Sequence, residues 1–306
     1  MLLRRHNLGG YPTAFRALTG LTVAASDALL PGRPEAFHAD RRPRPDRPGR
    51  RRAFGGGDAF DLDPADQFPL TVVWPRQYPT REVLGFLFGA SDSSALRAGA
   101  RCLPLLEKAG RDTMRMPGRG RGRRRGLPAL LRDTPELAVA IDTFEQRTQR
   151  PRRRRRAYDS GKKKAPTLKS QVAVDEDGRF GDVAESRPGR RADLRVLKRS
   201  GLPGRLARAK VGALADPADL GLDALHARVR GATPRRQPRG RERPAGDRRY
   251  NRALARRRLV VEHGLARLRR YQALSQVDRR RRRAQTARVR AAAGPENRRM
   301  GHHEAA

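Results

Sequence analysis

The chain has one cysteine, Cys102, in 306 residues. That excludes an internal disulfide and a cysteine-based zinc site. Aromatic residues make up only 5%, so a core has to be built from Leu, Val and Ala. No apolar run approaches the ~18 residues needed to span a bilayer. The opening MLLRRHNLGGYPT lacks the continuous apolar stretch of a secretion signal, so a cytoplasmic protein with no membrane partner is expected. Acids are in short supply as well: 32 Asp and Glu stand against 70 Lys and Arg, a net charge of +38. Lysine is itself scarce, seven residues against 63 arginines. Bases in such excess have one obvious partner, the phosphate backbone, because cationic contacts release condensed counterions. The heavy use of Arg, Ala, Gly and Pro also follows from a biased coding DNA, so the sign of the charge is read as functional and its size as partly compositional. The apolar fraction, 37%, permits a real core and two domains of ordinary size.

Six segments follow from composition and periodicity. Residues 1–30 read as a helical segment, two short helices joined at Gly20. Residues 31–57, rich in Pro, Gly and Arg, read as a flexible linker. Residues 58–110 form three helices, over DQFPLTVVW, PTREVLGFLFG and a run starting near Ser91. Pro69 and Pro75 fall inside the first, each at a cost of ~3 kcal/mol unless it marks a boundary or kink. The turn GAS, with Ser91 or Asp92 as N-cap, fits a helix-turn-helix, whose third helix would enter the major groove led by Ser93, Ser94 and Arg97. A plain three-helix bundle fits the same spacing. Residues 111–130, with GRGRGRRRG, are a basic linker. Residues 131–290 alternate strand and helix: strand LAVAID, a hairpin turning at Glu176-Asp177-Gly178, helix RADLRVLKRSGL ended by Gly201, strand VGALAD, a bend DALHARV, strand VRGAT, then a helix from Asp247 to Leu274. That helix carries Tyr250, Leu254, Val261, Leu265 and Leu268 on one stripe. This order implies a mixed sheet covered by helices. Residues 291–306 are a C-terminal tail.

Three acids stand out because acids are rare. Between Arg248 and Arg270 there are nine arginines and one carboxylate, Glu262. Asp142 closes LAVAID and Asp216 closes VGALAD, each an apolar run delivering a carboxylate to a strand end. Taken singly, each is an ordinary capping or turn acid. Together, two strand-end aspartates and a helical glutamate among arginines suggest divalent metal acting on a polyanion. Glu145, three residues after Asp142, is a rival at the same edge.

The blocks LAVAIDTFEQRTQRP, YDSGKKKAPTLKSQVAVDEDGR, ADLRVLKRSGL, LADPADLGLDALH, TPRRQPRG and YNRALARRRLVVEHGLARLRRYQAL resemble insertion-sequence transposases of the DDE superfamily endonuclease type. The upstream QYPTREVLGFLFGASDSS is similar to the helix-turn-helix that precedes their catalytic domain. The resemblance implies an α/β, RNase H-like mixed sheet flanked by helices, preceded by a small all-α helix-turn-helix domain. It implies Asp142, Asp216 and Glu262 as catalytic residues and ligands of two divalent ions, Mg²⁺ or Mn²⁺. These would cleave double-stranded DNA at transposon ends and transfer a strand to target DNA. Arg258 and Arg269, flanking Glu262, would hold phosphates or orient the glutamate, and Lys162, Lys163 and Lys164 would contact backbone as point charges. A nucleoid-associated protein follows, and synapsis of paired ends implies a homodimer.

The chain departs from the family pattern in places. After the second acid it reads Asp216-Pro217-Ala218-Asp219-Leu220-Gly221 where a glycine and an aromatic are usual. Pro166 and Asp159 stand where His and an aromatic are common, and Pro295 and Glu296 interrupt an expected apolar helix. The alternative reading is therefore a catalytically decayed copy acting only as a DNA-binding protein. A third, a basic RNA-associated protein, rests on charge alone.

Overall fold

The computed structural model describes residues 3–29, 62–117, 137–215, 231–237, 239–240, 242–279 and 284–302, and the chain divides into two units, Met1–Lys108 and Ala109–Ala306. The linker expected over 31–57, the GRGRGRRRG run, the DALHARV bend and Asp216 lie outside the described residues.

The first unit is helical. It holds α1 (Arg5–Gly9), α2 (Pro12–Thr19), α3 (Val23–Leu29), α4 (Pro64–Gln77), α5 (Arg81–Phe88) and most of α6 (Asp92–Asp112). In α2 the chain ends on Gly20 at φ 79°, a conformation glycine adopts at no steric cost. Asp63 caps α4 by accepting from the Asp66 amide at 2.7 Å. The helix then runs through both Pro69 and Pro75. Each proline costs ~3 kcal/mol in a helix interior. The compensation is burial on every side: Asp66 through Pro75 are all buried, and each large apolar side chain contributes about 1.5–3 kcal/mol. The Asp66 carboxylate also takes Arg4 Nη1 at 2.7 Å and the Arg5 amide at 2.6 Å, tying α1 to α4. Cys102 in α6 is fully buried, and burial pushes its thiol up to about 11, which leaves it protonated and unreactive.

The second unit is a mixed α/β layer structure. Its strands are β1 (Leu137–Arg147), β2 (Asp159–Ser160), β3 (Ala165–Asp175), β4 (Phe180–Val183), β5 (Arg187–Pro188), β6 (Gly212–Leu214) and β7 (Gly231–Ala232). The order is β2-β3-β1-β6-β7, with β4 and β5 also on β3. β1 and β3 pair antiparallel from Val139↔Asp175 to Arg147↔Thr167, while β1–β6 and β6–β7 are parallel. The β3–β4 hairpin turns where expected: Gly178 sits at φ 88° and Asp175 accepts from the Arg179 amide at 2.8 Å.

Helices cover both faces. α10 (Ala245–Arg269) and α12 (Gln285–His302) pack on one, where Leu254, Val261, Leu265 and Val289 meet Ala140, Phe144, Val172 and Val174. On the other, α8 (Asp193–Arg199) and α9 (Leu202–Ala209) set Leu197, Leu202 and Leu206 against Val139, Ile141, Ala173 and Ala213. The short α7 (Arg155–Tyr158) and α11 (Gln272–Ser275) complete the unit. No helix among the described residues is long and apolar enough to cross a membrane.

Several elements differ from the sequence reading. LAVAID is not a strand ending at Asp142: β1 continues to Arg147 because Thr143, Phe144, Glu145 and Gln146 keep the alternation and pair with a β3 of equal length. Gly201, at φ 70°, ends one helix and opens another, α9, unanticipated from LPGRLARA. The expected boundary at residue 290 falls inside α12, whose Ala291, Ala292 and Ala293 are buried. Glu296 and Asn297 are buried there too. Glu296 receives Arg299 at 2.8 Å, and Asn297 exchanges hydrogen bonds with both the amide and the carbonyl of Phe180, at 2.7 and 2.9 Å. Asn297 thereby satisfies the backbone of β4 at Phe180.

Candidate metal and nucleic-acid site

Side chains alternate along β1, so Asp142 shares the face of Ala140 and Phe144, the face that α10 covers. It is half-buried, and its Oδ1 accepts from the Thr143 amide at 2.8 Å. Glu145 points the other way. Its carboxylate accepts from Thr167 Oγ1 at 2.8 Å and faces Lys169 Nζ at 3.5 Å, which is itself held by Asp193 at 2.8 Å. Glu145 therefore belongs to an ion-pair network under α8, on the opposite face from α10.

Glu262 rides on α10, exposed to solvent. With about 100° per residue, Arg258, Arg269 and Glu262 fall roughly 50°, 70° and 90° to one side of the buried stripe, and Arg257 and Gly264 fall to the other. The second flank meets the β3–β4 hairpin. Arg257 pairs with Glu176 at 3.4 Å, and a Cβ on Gly264 would stand 3.2 Å from Val174 Cγ2. The flank with Glu262 is thus turned away from β4, toward β1 and β6. Arg258 is half-buried there and Arg269 exposed. Glu262 makes no ion pair with any described residue, although the helix around it is crowded with arginine.

Asp216 lies outside the described residues. The last paired residues before the two aspartates are Ala140 and Leu214, opposite one another in the parallel β1–β6 ladder. Asp142 and Asp216 each stand two positions further along their chains. Among the described residues no three His, Cys, Asp or Glu side chains cluster as a metal site.

The DNA-contact candidates fall in separate places. Lys162, Lys163 and Lys164 are exposed in the β2–β3 turn, where Ser160 Oγ accepts from the Lys163 amide at 3.1 Å and Lys164 takes φ 48°. That turn joins β3 at Ala165, seven residues and ~23 Å along the strand from Val172, the partner of Asp142. In the helical unit, Ser91 Oγ accepts from the Ser94 amide at 3.1 Å and Asp92 from the Ser93 amide at 2.6 Å, so both serines belong to the cap of α6. Arg97 is exposed one turn on. The preceding turn is tight because Gly85 leaves room for it: a Cβ there would stand 2.5 Å from the Ala90 carbonyl.

One clamp was not anticipated. The Arg235 amide donates to Asn251 Oδ1 at 2.8 Å, Asn251 Nδ2 donates back to the Arg235 carbonyl at 3.0 Å, and the guanidinium pairs with Asp247 at 2.6 Å. The same guanidinium lies 4.5 Å over the Tyr250 ring. This pins TPRR, the stretch after β7, to the start of α10. Asn251 lies on the same flank as Arg258 and Glu262, and that spacing was the available signal.

A mixed sheet with helices on both faces, an aspartate in its central strand and a glutamate on the covering helix is compatible with an RNase H-like nuclease domain. Residues 141–294, half of the chain, match the DDE superfamily endonuclease family, and the protein belongs to that family. A probable transposase for insertion sequence element IS702 from Microchaete diplosiphon is 27% identical over 210 residues, covering 69% of this chain and 71% of that protein. No solved structure matches.

Proposed function

We propose that the protein is a transposase that cuts double-stranded DNA at transposon ends and joins the freed 3′-hydroxyl to target DNA. Asp142, Asp216 and Glu262 form its metal site. The observation that supports this is that Asp142 alternates onto the sheet face α10 covers, while Glu262 rides on the α10 flank opposite the one that meets the β3–β4 hairpin; in sequence Asp216 follows the Ala140–Leu214 pair by the same two positions as Asp142. An all-carboxylate donor set suits hard cations such as Mg²⁺ or Mn²⁺. When bound, two such ions activate an oxygen nucleophile and neutralise the leaving oxygen of an in-line displacement. The protein's part is to hold the carboxylates rigidly, on a central strand and a packed helix. Arg258 and Arg269 hold phosphates beside Glu262, in reach of bidentate contact. Lys162, Lys163 and Lys164 meet DNA backbone further along the sheet. In the helical unit α5 and α6 act as a helix-turn-helix, with Ser93, Ser94 and Arg97 leading α6 into the major groove. Synapsis of two ends calls for a homodimer on the nucleoid.

The test uses purified full-length protein, a duplex bearing the element's ends, and Mg²⁺ or Mn²⁺. The parent cuts, and Asp142→Asn lowers cutting by more than about 100-fold, beyond what loss of an outer-shell partner costs, with end binding intact. Equal cutting by both proteins would refute the site. Binding without cutting by the parent would make the chain a DNA-binding copy that has lost its chemistry.

A further inference from the structure

An arginine-lined cavity in the second unit lies away from the carboxylates. It has a volume of about 520 Å³ and opens between β4, the C-terminal half of α9, the stretch after α6, and Arg290 of α12. That volume is within the ~300–1,000 Å³ range of small-molecule sites. Four guanidiniums line it, from Arg111, Arg205, Arg208 and Arg290, against one carboxylate, Asp182.

Two of the four are held in place by the fold. Arg205 Nη2 donates to Asp182 at 2.7 Å and to the Ser200 carbonyl at 3.2 Å; Arg290 donates Nε and Nη2 to the Val183 carbonyl at 3.2 and 3.1 Å. A guanidinium has five N–H donors, so Arg205 keeps donors for a ligand beyond these contacts. Arg205 Nε is buried with no hydrogen-bond partner among the described residues. Arg208 is exposed and pairs with no described acid. Met114 and Met116 form a soft, polarisable wall beside these charges.

The cavity is separate from the carboxylate site. Asp182 pairs with Ala173, whose side chain packs under α8 and α9, whereas Asp142 faces α10. β4 also lies across β3 from β1, about two strand spacings or ~10 Å away.

We infer that this cavity takes one nucleotide unit of a DNA strand, its phosphate on Arg205, Arg208 and Arg290 and its base against Met114 and Met116. Three positive charges in excess and an apolar wall select a ligand with an anionic end and a flat apolar body. A nucleotide has both. That the nucleotide comes from a strand rests on the transposase reading; that the cavity prefers an anion with an apolar body does not.

The chain contains only four methionines, so the methyl resonances of Met114 and Met116 are direct reporters, assigned by Met114→Leu and Met116→Leu. Full-length protein carrying ¹³C-methyl methionine is titrated without metal, using dAMP, adenosine, inorganic phosphate and a short single-stranded oligonucleotide. The inference expects saturable shifts of Met114 and Met116, but not Met300, with dAMP and at lower concentration with the oligonucleotide. Inorganic phosphate competes, and adenosine alone shifts them weakly. Arg208→Gln, an exposed change that leaves the fold intact, raises the dAMP midpoint about tenfold, the usual worth of one charge-assisted hydrogen bond. Unmoved methyls, or shifts indifferent to Arg208→Gln, overturn the site. A response to dAMP but not to the oligonucleotide overturns the strand assignment. Failure of end cleavage leaves these shifts untouched, so the two readings fail separately.

Discussion

Asp278 and Arg288 form a bidentate ion pair, at 2.7 and 2.8 Å, with both side chains fully inaccessible to solvent. The backbone of Asp278 also hydrogen-bonds the end of β1, donating to the Arg147 carbonyl at 2.8 Å. The pair therefore fastens the start of α12 to the central strand. Desolvating two charges offsets much of their attraction, but removing one leaves the other buried and uncompensated. Asp278→Ala should lower unfolding stability by about 3–5 kcal/mol, read from a urea denaturation midpoint at unchanged slope. A loss below about 1 kcal/mol would mean that water or a neighbour reaches Arg288. Neither residue was legible beforehand. A buried arginine in a chain with 63 of them carries no sequence signature, whereas Glu262 was conspicuous because acids are rare on its helix.

At the scale of elements, glycines separate close packing from open space. Gly294 in α12 lies against Gly110 at the end of α6, and a Cβ on Gly294 would stand 2.5 Å from Gly110 Cα. Gly99, inside α6, has nothing within 4 Å. Replacing a helical glycine by alanine gains about 0.5–1 kcal/mol where space allows, but forcing atoms into a packed contact costs about 1–3 kcal/mol. Gly99→Ala should therefore stabilise and Gly294→Ala destabilise, both read by thermal unfolding. A stabilising Gly294→Ala would show that the two helices do not touch. The sequence carried the elements whose apolar spacing is strong: the α10 stripe, the hairpin at Gly178, the buried strands. It missed α9, where Gly201 and Pro203 read as a break rather than a restart, and α12, where Pro295 and Glu296 masked a helix. The candidate site residues stood out in the sequence in the same uneven way. Asp142 and Glu262 were picked out as acids in apolar or basic runs, but the orientation of α10, with its other flank on the β3–β4 hairpin, is something no local pattern reveals.

For the molecule as a whole, charge and fold are separate matters. The excess of +38 makes affinity for any nucleic acid fall steeply with salt, so salt dependence distinguishes none of the readings. What distinguishes them is whether the carboxylates proposed as ligands take up a divalent metal. Glu145, Glu176, Asp182, Asp193 and Glu296 are each engaged by arginine or lysine, while Glu262 makes no ion pair with a described residue. The most direct measurement is calorimetric titration of Mn²⁺ into the full-length protein and into Asp142→Asn, Asp216→Asn and Glu262→Gln, without DNA. Saturable binding by the parent, weakened at least about tenfold in each variant, is the predicted result. A variant that binds Mn²⁺ as the parent does would contradict a shared metal site.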